Sequence, residues 1–571
     1  MKKSYPMMAA ALAGLILMPA PSAFAAPQSL EVVAPVKACG DLLSLDLTQV
    51  AGAGSAVATA AETTSDGIAV CNVEGTLAPA IAFQVILPLQ TWTQRYLQVG
   101  CGGLCGSITL RSGASAGCPV LNDGGFVMAA TDMGHEGNDP QWALDPIKRA
   151  DFAYRAQHLT AQAAKALIAE FYGQAEKYAY FNGCSDGGRE ALMEAQRYPD
   201  DFDGIIAGAP AALFQVQNTL YHGWQARSNT AADGSVILTS GRLPLLYAAV
   251  MAACDGTDGL EDGLISQPAA CAFDPASIQC PAGASDTSAC LTAAEVDTVR
   301  KLYAGPQDQA SGAYLTAGQP LPGSELEWQG VFVADNADQP LFSRIITDPV
   351  LKFIAYDKAN PEFGVDDLQF TAASLDAARA RHPLFDATNP DLSAFAAGGG
   401  KLILWHGLSD QHIAPANTVS YHKALIGQLG EQAVEGFERF YLLPGVGHCG
   451  GGRGPANVDM LSAVLDWVES GAAPDGLMTA TTAETSSFGQ PDQPAGQARQ
   501  GGPERMAIGP QPLPDMTRPV YPYPYVAAFS GSGEWTDGAN WKKGAASEIV
   551  ATRTWPGENL FTPYEPVVVN Q

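Results

Sequence analysis

Basic residues are scarce in this sequence. Against 59 Asp and Glu stand 31 Lys and Arg, a formal net charge of −28. A surface of that sign repels phosphate backbones and anionic lipid headgroups, so a nucleic-acid partner is excluded from the expected functions. Charge of either sign is sparse, at 16% of residues, while 47% are hydrophobic; that balance excludes a disordered chain and describes a globular one. Beyond the N-terminal segment no apolar run reaches the length of a membrane-spanning helix. No internal repeat is visible. Histidine is rare as well, eight in all, so few side chains compete for the role of a general base. At 571 residues the chain is too long for one simple core, and two or more packed units are expected.

Lys2 and Lys3 precede an apolar run over 7–18, too short to span a bilayer, and Ala23-Phe24-Ala25 follows. This is the pattern of a signal peptide over 1–25, and the mature protein is expected to be secreted or periplasmic, without membrane insertion. No Cys follows the cleavage site, so a lipid anchor is not expected. The 11 cysteines all lie in the mature part. Export permits disulfides, and an odd total leaves at least one cysteine unpaired or bonded elsewhere. Cys39 and Cys71 form a plausible local pair.

Strand-like runs occur at 81–89, 95–99, 125–131, 177–182, 203–207, 401–405 and 437–443, whereas 27–80 reads as mixed. Helical spacing appears over 150–172, where Leu159, Ala163, Leu167 and Phe171 share a stripe, and again over 188–198 and 458–469. Strands alternating with helices predict an α/β fold whose mostly parallel sheet is covered on both faces. The rhythm breaks near residue 212 and resumes near 399. We therefore expect a core in two parts, 26–212 and 399–571, with 213–398 inserted as a unit with its own small core. Residues 482–515, rich in Gln, Gly, Pro and Ser, read as a flexible stretch.

Gly183-Cys184-Ser185-Asp186-Gly187 fits G-x-S-x-G and lies between a strand-like and a helix-like run, the context that gives this motif meaning. A sharp turn there holds a serine hydroxyl above the sheet, with small flanking residues because the turn is crowded. A serine needs an adjacent base and an acid to orient that base. In this arrangement the chain order is Ser, acid, His. Asp410 follows the strand 401–405, and His448 follows the strand 437–443 in a Gly-rich loop. His135, His406 and His412 also lie in candidate loops, but His406 precedes Asp410 and breaks the order. Cys184 directly precedes the nucleophile and Cys449 directly follows the base. A bond between them ties the two loops together across a separation of 449 − 184 = 265 residues. Such a bond contributes about 4–5 kcal/mol in the chain-entropy model, less any strain. An oxyanion hole needs two backbone N–H groups. Asp186 supplies one, and Gly103, with Gly102 next, is the choice for the second.

Three segments, 183–189 (GCSDGGR), 198–204 (YPDDFDG) and 447–449 (GHC), together resemble the tannase and feruloyl esterase family, with the motif order kept from about 35 to 545. The resemblance implies an α/β-hydrolase core with a large lid inserted after the nucleophile helix, and hydrolysis of esters of aromatic carboxylic acids such as gallates, hydroxycinnamates or terephthalate monoesters. It implies that Cys184-Ser185, Asp410 and His448-Cys449 act as a set. It also implies a structural calcium in the lid, with Asp255, Asp258 and Asp262 giving side chains and Leu260 and Leu264 carbonyls, as suits a hard cation, and no organic cofactor. Family-like disulfides are Cys254–Cys271 and Cys280–Cys290. The sequence departs from the family at Tyr521 and Lys543, where a cysteine pair is usual, and in the extra Cys101, Cys105 and Cys118. For these, Cys105–Cys118 is the expected bond, leaving Cys101 free. Candidate residues of an aromatic-accepting pocket are Phe214, Trp328, Phe332, Phe342 and Phe353, with Arg344 for a substrate carboxylate. The alternatives are a hydrolase-like scaffold that only binds a small molecule or partner, an esterase for other small esters, and a catalytic metal. The last is disfavoured because hydrolytic zinc takes histidines.

Overall fold

The computed structural model describes residues 28–483, 486, 488–489 and 511–569. The expected signal peptide and most of 482–515 lie outside the described residues. Nine strands form the main sheet: β1 Ala56–Ser65, β2 Ile68–Leu77, β3 Ile81–Pro88, β4 Arg95–Val99, β5 Phe126–Thr131, β6 Tyr178–Cys184, β7 Gly204–Gly208, β8 Lys401–Gly407 and β9 Glu438–Leu443. Their spatial order is β1-β2-β3-β5-β4-β6-β7-β8-β9. Pairs from β5 through β9 are parallel, and β1, β2, β3 and β5 pair antiparallel.

The parallel strands β4, β5 and β7 are buried at every position. β5 and β7 accordingly carry no charged residue and do not alternate, because helices cover both faces, while β4 buries Arg95 and Gln98 with partners. On one face lie the helices Ala156–Tyr172, Asp186–Arg197 and Pro415–Leu429, burying Leu167, Phe171, Leu192, Val419 and Leu425. On the other lies Met460–Ser470, whose Leu461, Val464 and Leu465 pack with Ile206, Ile403 and Tyr441. The last described segment returns to the body, where Trp555, Leu560 and Phe561 join the main core.

Within 27–80, read as mixed, the described residues hold two short helical turns and then the long β1–β2 hairpin, which sequence analysis did not single out. β1 buries only Val57 and Ser65, too little for an alternation signal. The available signal is Asp66-Gly67, a two-residue loop with both φ positive (53° and 76°), the geometry such hairpins prefer.

The segment between β7 and β8 contributes to two clusters: Val350 and Leu351 join the main core, and a separate group lies within the segment. Leu246, Val250, Val296, Val299, Trp328 and Phe332 cluster there. Within it, the helix Ala293–Ala304 starts in a reciprocal cap. Thr292 Oγ1 accepts from the Glu295 N–H at 3.3 Å, and a Glu295 carboxylate oxygen accepts from the Thr292 N–H at 2.7 Å. Two disulfides, Cys254–Cys271 and Cys280–Cys290, close its loops.

One ionic cluster joins the sheet to the helix Met460–Ser470. Arg95, 1% exposed, donates through Nε and Nη2 to the Glu469 carboxylate at 2.7 and 2.6 Å, and the Tyr180 hydroxyl donates to the same carboxylate at 2.9 Å. Removing one partner of such a pair strands a buried charge. Glu469→Ala is expected to lower unfolding stability by about 3–5 kcal/mol, read from urea titrations followed by fluorescence.

Candidate active site

Three loops at the carboxyl ends of β6, β8 and β9 converge. Ser185 has φ 66° and ψ −122°, a strained conformation for a residue with a side chain. The turn is possible because a Cβ on Gly183 would lie 2.1 Å from the Gly187 carbonyl oxygen, so only hydrogen fits there. The Ser185 N–H donates to the Gly208 carbonyl at 3.0 Å, fastening the turn to β7.

His448 Nε2 lies 2.8 Å from Ser185 Oγ, and its Nδ1 lies 2.7 Å from Asp410 Oδ2. Asp410 is fully buried, and its Oδ1 accepts from the backbone N–H groups of His412 and Ile413 at 2.7 and 2.9 Å. A second imidazole, His406, places Nε2 3.0 Å from Asp410 Oδ2. Its Nδ1 lies 2.8 Å from Thr418 Oγ1, so Nε2–H facing the carboxylate is the tautomer that satisfies both contacts. Burial by itself pushes Asp410 up, but the His448 imidazole and the hydrogen bonds from His406 and His448 outweigh it and hold the carboxyl far below the usual carboxylate range. Sequence order set His406 aside as a base. The structure gives it a place beneath the acid, which its position at the end of β8 could have suggested.

Cys184 and Cys449 are bonded, with Cα atoms 5.9 Å apart. The bond joins the residue before Ser185 to the residue after His448. The Asp186 carboxylate does not face the hydroxyl. It takes a paired contact from the buried Arg189 guanidinium at 2.7 and 2.9 Å, while Arg189 also donates to the carbonyls of Phe152 and Ala153. The Asp186 N–H stands in the first turn of its helix, directly after Ser185.

The expected bond Cys105–Cys118 is not formed. Cys101 pairs with Cys105, and Cys118 is buried as a free thiol, raised to about 12 chiefly by burial. Cys118 packs with Leu110 and Leu121 on the far side of the loop, and sequence spacing does not reveal that direction. The small ring contains Gly102 and Gly103. Cβ atoms on either would meet nothing within 4 Å, so both backbones border open space. Cys101 N–H is already used, donating to Glu190 at 3.2 Å. Glu190 is buried beneath the ring with Gln157 donating to it at 2.6 Å. Burial first, and then the Asp186 charge, push it well above the usual carboxylate range. Sequence analysis missed Glu190 because it reads as an ordinary helix carboxylate.

The same architecture occurs in known proteins. The family model described as tannase and feruloyl esterase matches residues 65–543. The chain belongs to this family. It is 30% identical over 539 residues to mono(2-hydroxyethyl) terephthalate hydrolase of Piscinibacter sakaiensis, covering 82% of this chain and 84% of that protein. It is 31% identical over 403 residues to a probable feruloyl esterase B-1 of Aspergillus fumigatus, covering 67% and 73%. The crystal structure of feruloyl esterase B from Aspergillus oryzae superposes with a TM-score of 0.72 at 24% identity, covering 89% of this chain and all of that one. The fold is thus that of an α/β-hydrolase, and the protein is a carboxylic ester hydrolase of the tannase and feruloyl esterase family.

In this esterase a cavity of about 680 Å3 opens over Ser185 and His448. Of the aromatic candidates only Phe342 lines it, together with Trp405 of β8. Trp328 and Phe332 are fully buried in the insertion core, Phe214 stacks on Phe385 in the main core, and Phe353 packs against that core. Arg344 is spent on Asp366, at 2.8 and 2.9 Å.

The loop 254–264 gathers Asp255, Asp258 and Asp262. Asp255 accepts from Gly263 N–H, Asp258 from the N–H groups of Leu260 and Ser266, and Asp262 from Leu264 N–H. Burial raises Asp255, and it raises Asp262 to about 6 even though Arg518 donates to it. Three partly buried carboxylates on one loop are oxygen donors of the kind a hard cation takes, with Asp262 also paired to Arg518. Arg518, which joins this cluster from a segment over 250 residues away, was not foreseen.

The Cys184–Cys449 bond makes a prediction. A Cys184→Ser, Cys449→Ser double variant is expected to lose about 4–5 kcal/mol or less in urea unfolding and to lower kcat more than it raises KM, since the loops carrying Ser185 and His448 are no longer tied. Steady-state kinetics on any accepted ester checks it.

Proposed function

We propose that this esterase works through an acyl-enzyme formed on Ser185. The observation that carries the reading is the hydrogen-bonded line from Asp410 through His448 to Ser185 Oγ, at 2.7 and 2.8 Å. His448 takes the hydroxyl proton as Ser185 attacks the ester carbonyl, then gives it to the leaving alcohol; water repeats the sequence to release the acid. The ionised, buried Asp410 keeps Nδ1 protonated and stabilises the imidazolium. The N–H groups of Asp186 and of Gly103, with Gly102 next, receive the developing oxyanion. The substrates are esters of aromatic carboxylic acids. The names of the relatives and the aromatic walls Phe342 and Trp405 support that class. The disulfides and the N-terminal pattern support export to the periplasm or the medium, and the insertion carrying Phe342 acts as the lid.

Ser185→Ala is expected to lower kcat by about 10⁴-fold or more, with unchanged circular dichroism, and to abolish labelling by a fluorophosphonate. Asp410→Asn is expected to cost about 10⁴-fold. A panel of methyl gallate, methyl ferulate, chlorogenate and mono(2-hydroxyethyl) terephthalate identifies the acyl group. Retained activity in Ser185→Ala sinks the mechanism. Activity only on short aliphatic esters sinks the substrate class.

The loop 254–264 is proposed to hold a structural calcium through Asp255, Asp258, Asp262 and the carbonyls of Leu260 and Leu264. The ion supplies charge balance to the loop closed by Cys254–Cys271 and takes no part in the reaction. Chelation is expected to lower Tm by several degrees, with recovery on adding calcium and a blunted response in Asp258→Asn. No calcium by elemental analysis and no shift in Tm would count against it.

A further inference from the structure

The charge around the cavity is unlike that of the molecule as a whole. Acidic residues outnumber basic ones by 59 to 31 in the chain, yet among the described residues no Asp or Glu lines this cavity, and Arg111 is the one Lys or Arg that does. Most other arginines near the core are committed, as Arg95 is to Glu469, Arg155 to Asp151 and Arg189 to Asp186. Arg111 is exposed and has no hydrogen-bond or ion-pair partner among the described residues.

Its backbone is nevertheless held. Next to it, Leu110 is buried. The Asn182 side chain donates to Ser112 Oγ at 2.8 Å and to the Gly113 carbonyl at 2.6 Å. Ala116 N–H donates to Val458 and Met460 N–H to Ala114, at 3.2 and 2.8 Å. Asn182 stands three residues before Ser185 on β6, about 10 Å along an extended strand. A braced loop therefore holds Arg111 at the same cavity as Ser185, with Phe342 and Trp405 also lining it.

We propose that Arg111 is an anion subsite that recognises a carboxylate carried by the ester substrate at a distance from the scissile bond. A guanidinium presents a planar fork that matches a carboxylate in two parallel hydrogen bonds. In a chain of net charge −28 an anionic substrate is repelled at long range, and a cavity whose described lining carries Arg111 and no acid opposes that field locally. The assignment rests on Ser185 as the nucleophile. The carboxylate belongs either to the acyl part, as in a benzene-dicarboxylate monoester, or to the alcohol part, as in a quinate ester.

The test compares ester pairs that differ in this charge: monomethyl terephthalate with dimethyl terephthalate, and chlorogenate with methyl caffeate. For the carboxylate-bearing member of one pair, Arg111→Gln is expected to raise KM about tenfold, with kcat and the neutral partner changed by less than about twofold. The affected pair tells which part carries the charge. Arg111→Lys is expected to recover part of the loss, and wild-type KM for the anionic ester is expected to rise with salt. A turnover-free arm measures protection of Ser185 from a fluorophosphonate. Terephthalate is expected to protect at lower concentration than terephthalamide, and to lose that advantage in Arg111→Gln. Equal changes for charged and neutral esters, or no preference for terephthalate in protection, overturn the subsite. A Ser185→Ala enzyme that still hydrolyses these esters fails the nucleophile reading instead.

Discussion

The buried carboxylate of Asp410 is the constraint on which the site depends. It is fully enclosed, and a lone charge there would be costly, so every lone-pair direction is answered: two backbone N–H groups on one oxygen and two imidazoles on the other. Those partners fix more than the acid. The N–H donors of His412 and Ile413 wind the loop after β8, and His406 locks the end of that strand. His448 is left with one ring nitrogen bound and the other aimed at Ser185. Gln411, in the same loop, accepts from the His448 backbone N–H at 3.3 Å. Orientation of the base is thus built from one short segment, 406–413.

On the opposite side of the hydroxyl, the strained turn at Ser185 is held from below. Arg189 withdraws the Asp186 carboxylate from the cavity and ties it to the π-helical turn Asp151–Arg155, whose Phe152 and Ala153 carbonyls it also binds. Glu190, its carboxyl pushed up by burial, accepts from the Cys101 N–H beneath the Cys101–Cys105 ring. A charged Asp186 side chain in the cavity would oppose the proposed oxyanion; its pairing with Arg189 holds that carboxylate elsewhere.

Disulfides divide between these tasks. Cys184–Cys449 couples the loops that carry Ser185 and His448, and Cys101–Cys105 closes the ring that holds Gly102 and Gly103. Cys39–Cys71 fastens the N-terminal segment to β2, while Cys254–Cys271 and Cys280–Cys290 serve the insertion. Where the family usually has a further pair, Lys543 instead meets Asp475 at 2.8 Å, an exposed contact that binds the C-terminal hairpin less firmly than a covalent bond.

Local chemistry made much of this legible in the sequence. A serine between small residues at a strand–helix junction dictates a turn. Strands covered on both faces, such as β5 and β7, read as runs without charge, and cysteines beside both the serine and the histidine announce a covalent tie. What the sequence left open were choices among equivalent partners in space. Cys105 had two candidate thiols within reach along the chain, and only packing turns Cys118 into the core and Cys101 toward its partner. Several aromatics had equal claim to the cavity, and only Phe342 faces it, because the insertion's own core consumed Trp328 and Phe332. The second imidazole on Asp410, Arg518 on Asp262 and the uncommitted Arg111 arise from segments distant in sequence, so tertiary contact alone decides them.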